Sequence, residues 1–229
     1  MTQATPSSAP ESPPTPTAES GLAPVLQVKH LCFAYAGEAP LFADWSAELP
    51  PGVTLLDGDM GCGKSTLLQL LAGDLLATGD TELLLRGQTF SDDPVAYRRE
   101  VCWFNPRDEA FDGLTPAGLM AALRERHPAL DEDDWQRHID AFELAPHLAK
   151  PLYALSTGMR RKAGLAIALS AGCALTLLDE PTGGLDASSL DHLAEALCDE
   201  PFASRCAVLM VCSRGLEDLP LAGTITLSP

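Results

Sequence analysis

Apolar residues fall along this chain in short runs divided by glycine, proline and acidic clusters, and the period of each run predicts an element. Val53, Leu55 and Leu56 read as a buried strand that leads straight into GDMGCGKST, residues 58–66. The following LLQLLAGDLL carries leucines at helical spacing and predicts a helix running through to Leu76. Farther on, LTPAGLMAAL and DEDDWQRHIDAFEL bring apolar residues back every three or four positions and read as amphipathic helices. AGLAIALSAGCALTLL, residues 163–178, is the longest uncharged stretch, too short for a membrane span of about 20 residues. Its Ser-Ala-Gly-Cys middle predicts instead a helix, a turn and a buried strand. That strand ends in two carboxylates, as ALTLLDEP, residues 174–181. No internal repeat and no second glycine-rich loop of the first kind occurs.

Composition narrows the classes. A chain of 229 residues supports one sizeable core or at most two small domains. A formal net charge of −17 with 15 basic residues argues against a nucleic-acid partner, which needs clustered Lys and Arg. Arg160, Arg161 and Lys162 form a local basic patch, which reads as a solvated helix face. The DEDD run at 131–134 reads as a charged helix start and not as a metal site. Seven cysteines show neither a CxxC pair nor Cys/His metal spacing. With no secretion signal at the start, they read as reduced thiols of a cytoplasmic protein, mostly small buried hydrophobes. Residues 1–24 hold six prolines and no Lys or Arg. Such a segment cannot bury enough surface to offset its ordering entropy, so it reads as a disordered tail.

GDMGCGKST has the chemistry of a phosphate cradle: Gly58, four residues, then Gly63, Lys64 and Ser65. The loop Gly58, Asp59, Met60, Gly61, Cys62, Gly63, Lys64, Ser65, Thr66 can fold into a nest of N–H donors. Lys64 adds a charge near the terminal phosphates, and the Ser65 hydroxyl suits Mg²⁺. Cys62 lies inside the loop, where alkylation would bring bulk against the phosphates. The loop alone does not separate kinases, GTPases, helicases and transport ATPases. In ALTLLDEP, Asp179 suits the Mg²⁺ shell and Glu180 an attacking water. In LSTGM, Ser156 and Gly158 can open a helix whose free N–H groups face an anion, although LSTG alone is an ordinary helix cap.

Together these pieces resemble the ATP-binding cassette (ABC) family, the nucleotide-binding subunits of ABC transporters, over residues 25–229. The resemblance assigns Walker A to Gly58–Thr66, the signature to Leu155–Met159 and Walker B to Leu175–Asp179. It makes Glu180 the catalytic glutamate and Gly184, Leu185 and Asp186 the D-loop, with order and spacing that agree, including the 23 residues from Ser156 to Asp179. Tyr35 falls where the family stacks an aromatic on adenine; the same residue also reads as a strand-packing tyrosine. TGDTELLLRG, residues 78–87, resembles the turn and strand after the first cassette helix. The resemblance implies an α/β P-loop NTPase fold with a mixed core sheet, flanking helices, an antiparallel edge sheet and a helical insertion at about residues 107–165. It also implies ATP and Mg²⁺ as ligands, and two cassettes closing head to tail, as a homodimer or a pair. The partners implied are separate transmembrane subunits at the inner face of the cell membrane.

Three positions depart from the family. Where its Q-loop glutamine follows the strand written here REVCWF, this chain has Asn105, Pro106 and Arg107, and Asn105 is the candidate to reach Mg²⁺. The signature ends in Met159, a form that leans towards export. The switch histidine after CAVLMV is replaced by Ser213, whose hydroxyl can give one hydrogen bond; His192 comes too early and reads as solvent-facing. The leading expectation is therefore a transporter ATPase of slow turnover. The alternatives are a hydrolysis-poor cassette serving as an ATP-dependent structural or regulatory module, and a soluble cassette acting on DNA or ribosomes, which the charge disfavours.

Overall fold

The computed structural model describes residues 23–105, 109–212, 216 and 218–228. The expected tail thus falls almost wholly outside the described residues, as do Pro106, Arg107 and Ser213. Two sheets form the frame. In the first, β1 (Leu26–Phe33), β2 (Phe42–Leu49), β4 (Glu82–Leu85) and β5 (Gln88–Thr89) pair antiparallel in the order β2-β1-β4-β5. Leu26 faces Leu49 and Val28 faces Ala47, which puts alternate residues of β1 into the core. Alternation breaks where His30 and Asp44 both take left-handed backbone, with φ of 54° and 61°. Their side chains meet at 2.6 Å.

The second sheet contains β3 (Gly52–Gly58), β6 (Val101–Phe104), β7 (Leu175–Asp179), β8 (Ala207–Val211) and β9 (Leu221–Leu227), in the order β6-β7-β8-β3-β9. Every pairing in it is parallel, which corrects the expectation of a mixed core sheet. The antiparallel pairs have all segregated to the other sheet. Neighbours in the parallel sheet are joined by long crossovers, which is the connection parallel pairing demands. All five residues of β7 and of β8 are buried, as expected of strands covered on both faces.

Helix α1 (Lys64–Ala72) packs its leucines against one face of this sheet, with Leu67, Leu68 and Leu71 fully buried beside Leu56, Leu175 and Leu209. It ends four residues short of the sequence expectation. Gly73 adopts φ 74° and its N–H closes back on Gln69 and Leu70, leaving Asp74, Leu75 and Leu76 outside the helix. Past α2 (Pro94–Arg99) and β6 come α3 (Pro116–Arg126) and α4 (Glu132–Ala141), at the two segments read as amphipathic, and then α5 (Thr157–Ser170). Asp131 caps α4 by accepting from the N–H groups of Asp133 and Asp134, so the DEDD run is indeed a helix start. Ile139, Phe142, Leu165, Ile167 and Leu193 fill the other face of the sheet together with α6 (Ala187–Cys198). The short α7 (Glu200–Ala203) precedes β8.

Because the sheet is parallel, β3 and β7 release their following loops at the same, C-terminal edge. The phosphate loop and the two carboxylates leave the fold there, with β8 between them.

Candidate functional site

The loop after β3 is shaped by its glycines. Gly58, Gly61 and Gly63 have φ of 144°, 86° and 100°. At Gly58 a Cβ would stand 2.6 Å from the Leu227 carbonyl oxygen and 2.8 Å from Cys62 Sγ, so space and backbone angle both exclude a side chain. Gly63 precedes α1 with no side chain to cap it, which leaves the N–H groups of the first turn available to an anion. Lys64 folds across the loop, its Nζ donating to the carbonyls of Gly58 at 2.6 Å and Asp59 at 2.9 Å. Met60 stands fully exposed on the rim. Cys62 is buried with its sulfur beneath Gly58, so a thiol reagent reaches it only when the loop opens. Tyr35 donates to or accepts from Thr66 Oγ1 at 3.0 Å and sets its ring edge-on to Phe33 at 4.9 Å. With 41% of its surface exposed, it packs on β1 through Phe33 and leaves the rest of its surface open.

Asp179 closes β7 in a buried position and accepts a 2.8 Å hydrogen bond from Ser65 Oγ, which ties the phosphate loop to the carboxylate strand. The next residue, Glu180, turns the chain out of the sheet with φ 48°, a left-handed conformation that costs a non-glycine residue about 1 kcal/mol or more. Its N–H donates to the Val211 carbonyl at 2.8 Å, and its own carbonyl accepts a longer bond, 3.4 Å, from Gly183 N–H. The Thr182 hydroxyl and Cys212 Sγ stand 3.5 Å apart at the end of β8. Ser213, the next position, lies outside the described residues.

Ser156, Gly158 and Asp186 form a second group. Ser156 caps α5 by accepting from Met159 N–H at 3.2 Å. Gly158 lies so close to the Gly184 carbonyl that a Cβ would stand 2.5 Å from that oxygen. Asp186 caps α6 through Ser189 N–H and accepts 2.8 Å from Lys162 Nζ. These bonds, that from Lys162 foremost, hold the Asp186 carboxyl well below the usual carboxylate range. Among the described residues no hydrogen bond or ion pair joins Ser156, Gly158 or Asp186 to the phosphate loop. Asn105 lies just past β6, in the wall of a cavity of about 130 Å³ shared with Phe104, Thr157, Arg160 and Arg161.

Two expectations are corrected here. The basic triplet is not a solvated face: Arg160 pairs with Asp112 at 3.1 Å, Lys162 is buried against Asp186, and Arg161 packs on Gly183. One signal for this was available, since Lys162 falls one helical turn after Gly158 and must share its face. Nor is His192 wholly solvent-facing, since it is half-buried on α6. Its Nε2 stands 2.9 Å from Nδ1 of buried His138, and its ring sits edge-on to Phe142 at 4.8 Å.

Residues 43–183 match the family model described as ABC transporter. The cytochrome c biogenesis ATP-binding export protein CcmA of Rhodospirillum rubrum is 34% identical, over 84% of this chain and 80% of its own. The petrobactin import ATP-binding protein FpuD of Bacillus anthracis is 30% identical, over 86% and 73%. The taurine import ATP-binding protein TauB of Escherichia coli O157:H7 is 32% identical, over 76% and 67%. Among solved structures, an ATP-binding subunit of an ABC transporter superposes with a TM-score of 0.73 at 23% identity, covering 82% of this chain and 79% of that one. An ABC transporter ATP-binding protein from Pyrococcus furiosus gives 0.70 at 18% identity, covering 88% and 96%.

Proposed function

The chain belongs to the ABC transporter family, as an ATP-binding subunit that hydrolyses ATP, and on that premise we propose how its residues divide the task. The N–H groups from Gly58 to Thr66 hold the phosphates, and Lys64 gives up its bonds to Gly58 and Asp59 to meet the terminal ones. Tyr35 stacks on adenine. Ser65 and Asp179, joined by Asn105, hold Mg²⁺; the short bond between the first two brings together the hard oxygen groups this ion prefers. The ion, when bound, neutralises charge on the phosphate oxygens. Glu180 orients and deprotonates the attacking water, and Ser213 offers its hydroxyl to the γ-phosphate where the family has a histidine. Ser156, Gly158 and Asp186 face the nucleotide of a second cassette, a homodimer partner or a paired subunit.

Cassettes of this family work with transmembrane subunits, and we assign this chain to the inner face of the membrane beside them. Among the described residues no helix is long and apolar enough to cross a membrane. The relatives include export and import proteins at similar identity, so identity does not choose a direction. Residues 1–24 are read as a tail outside the cassette, and about residues 107–165 as its helical insertion.

The observation that carries this reading is the Ser65–Asp179 bond, because it joins the phosphate cradle to the strand that delivers Glu180. Calorimetry and steady-state hydrolysis test it together. Lys64→Ala is expected to lose MgATP binding. Glu180→Gln is expected to keep binding while hydrolysis falls on the order of 10²- to 10⁴-fold. Equal ATP affinity in wild type and Lys64→Ala overturns the assignment. Tight binding without measurable wild-type turnover favours the regulatory module. Recovery of integral membrane proteins with the solubilised chain tests the transmembrane partner.

A further inference from the structure

We infer that Arg161 is a positioning residue for hydrolysis: its guanidinium, laid on the backbone of Gly183, fixes the Glu180–Gly184 turn that carries the catalytic carboxylate. The inference rests on the role given above to Glu180. That turn starts from a left-handed Glu180, and its backbone closures are a 3.4 Å bond from Gly183 N–H to Glu180 and a 3.2 Å bond from Leu185 N–H to Thr182, so contacts from neighbouring elements add to its support. On one side the sheet supplies it, through Glu180 N–H and Val211. On the other side the support is α5. Arg161 Nη1 lies 2.5 Å, and its Cζ 3.2 Å, from where a Gly183 Cβ would be. Gly183 has no left-handed φ to explain its identity, so it serves here as the space the guanidinium fills.

Gly158, three residues earlier on the same helix face, presses on the Gly184 carbonyl, and Lys162 holds Asp186. One face of α5 therefore clamps the whole segment from 183 to 186. Arg161 is held there by shape and charge and not by a full set of hydrogen bonds: its Nε is buried with no partner. Burial pulls its pKa down, and the carboxylates of Glu180 and then Asp179 push it back up, so the cation and the two acids share one local field. A planar guanidinium can lie flat on a peptide in this way; an ammonium cannot.

The test uses the full chain in single-turnover hydrolysis, nucleotide titration and amide hydrogen exchange, with Arg161→Gln, Arg161→Lys, Gly183→Ala, the Arg161→Gln/Gly183→Ala double variant, and Glu180→Gln. Arg161→Gln is expected to slow hydrolysis about tenfold or more with ATP affinity unchanged, the pattern of a lost transition-state contribution. Arg161→Lys recovers little of the rate. Gly183→Ala, whose methyl takes the guanidinium's place, gives a similar loss, and the double variant is no slower than the worse single one. Exchange rises in the 178–186 segment of Arg161→Gln and stays unchanged over 58–72. Hydrolysis and exchange both at wild-type levels in Arg161→Gln, beside a Glu180→Gln that is inactive, overturn the inference and leave the role of Glu180 standing. Hydrolysis unaffected by Glu180→Gln overturns that role itself. A parallel loss of ATP affinity and rate in Arg161→Gln shows a general structural part and also overturns the inference.

Discussion

At Gly58 the chain has no room for a single added carbon. The Leu227 carbonyl and Cys62 Sγ both stand within 3 Å of where a Cβ would go, and φ is 144°. One obstacle is backbone of the neighbouring strand β9, which cannot rotate away as a side chain can. Gly58→Ala is therefore expected to destabilise the fold by about 1–3 kcal/mol and to lose MgATP binding, because Cys62 and the loop must shift. Urea unfolding and calorimetry check the two halves. Gly61, where a Cβ meets nothing within 4 Å, is the contrast: there only φ opposes a side chain, and the stability loss is expected to be smaller. Single residues of this site differ in how far the sequence reveals them. The cradle is legible because phosphate binding dictates glycine and lysine at fixed spacing, whichever protein carries them. Glu180's left-handed turn is not, since nothing in DEPTGG announces which residue reverses the chain. Arg161 and Lys162 are hidden for a related reason. Their partners, Gly183 and Asp186, lie more than 20 positions away, and only the crossover into β7 brings them close.

Elements were legible where periodicity spoke and misread where one residue overrides it. Leucine spacing alone carries α1 on to Leu76, but Gly73 stops it, with Phe90 Cε2 only 2.7 Å from the missing Cβ and the Arg98 guanidinium 5.3 Å from that ring's centre. Arg98 also donates to the Gly73 carbonyl at 2.7 Å. Gly73→Ala should cost about 2 kcal/mol, part from the left-handed angle and part from the displaced ring, as an earlier midpoint in urea. Between α4 and α6 the histidine pair makes a pH-dependent joint. Burial first, then His192 and Arg137, lower the His138 pKa from 6.5 to about 4, against the opposing pull of Asp199. Burial lowers that of His192 as well. Unfolded chains take up these protons near pH 6.5 while folded His138 stays neutral until about pH 4, so the unfolded state binds more protons in that window. Stability is thus full above pH 6.5 and falls as pH drops towards 4. Between pH 7 and 5 the loss from His138 is on the order of 2 kcal/mol. His138→Gln, unfolded in urea at both values, should show a smaller difference between them than the wild type.

For the whole molecule, the arrangement of its two groups decides how it can act. The cradle, Ser65 and Asp179 gather at the C-terminal edge of the parallel sheet, while Ser156 starts α5 beside the D-loop. Within one chain the described residues show no bond between them. We propose that a second copy supplies the phosphate for the capped start of α5. Its nucleotide would lie between its own cradle and this chain's Ser156, and the reverse for the other site, which is a self-complementary, two-fold arrangement. In that arrangement ATP belongs to the interface, and dimerisation depends on it by mass action. Hydrolysis removes that support, so blocking turnover while keeping binding should trap the pair. Glu180→Gln with MgATP is expected to run as a dimer in light scattering and to return to monomer when ATP is exchanged for ADP. Adding Ser156→Arg should abolish that dimer while ATP affinity of the monomer, set by the cradle, Tyr35 and the Mg²⁺ ligands, stays unchanged. Its side chain would fill the space in front of the α5 start without touching the Lys64 loop. A Glu180→Gln/Ser156→Arg chain that still dimerises with ATP would mean that the two copies meet through some other surface, and that α5 plays no part in holding the nucleotide.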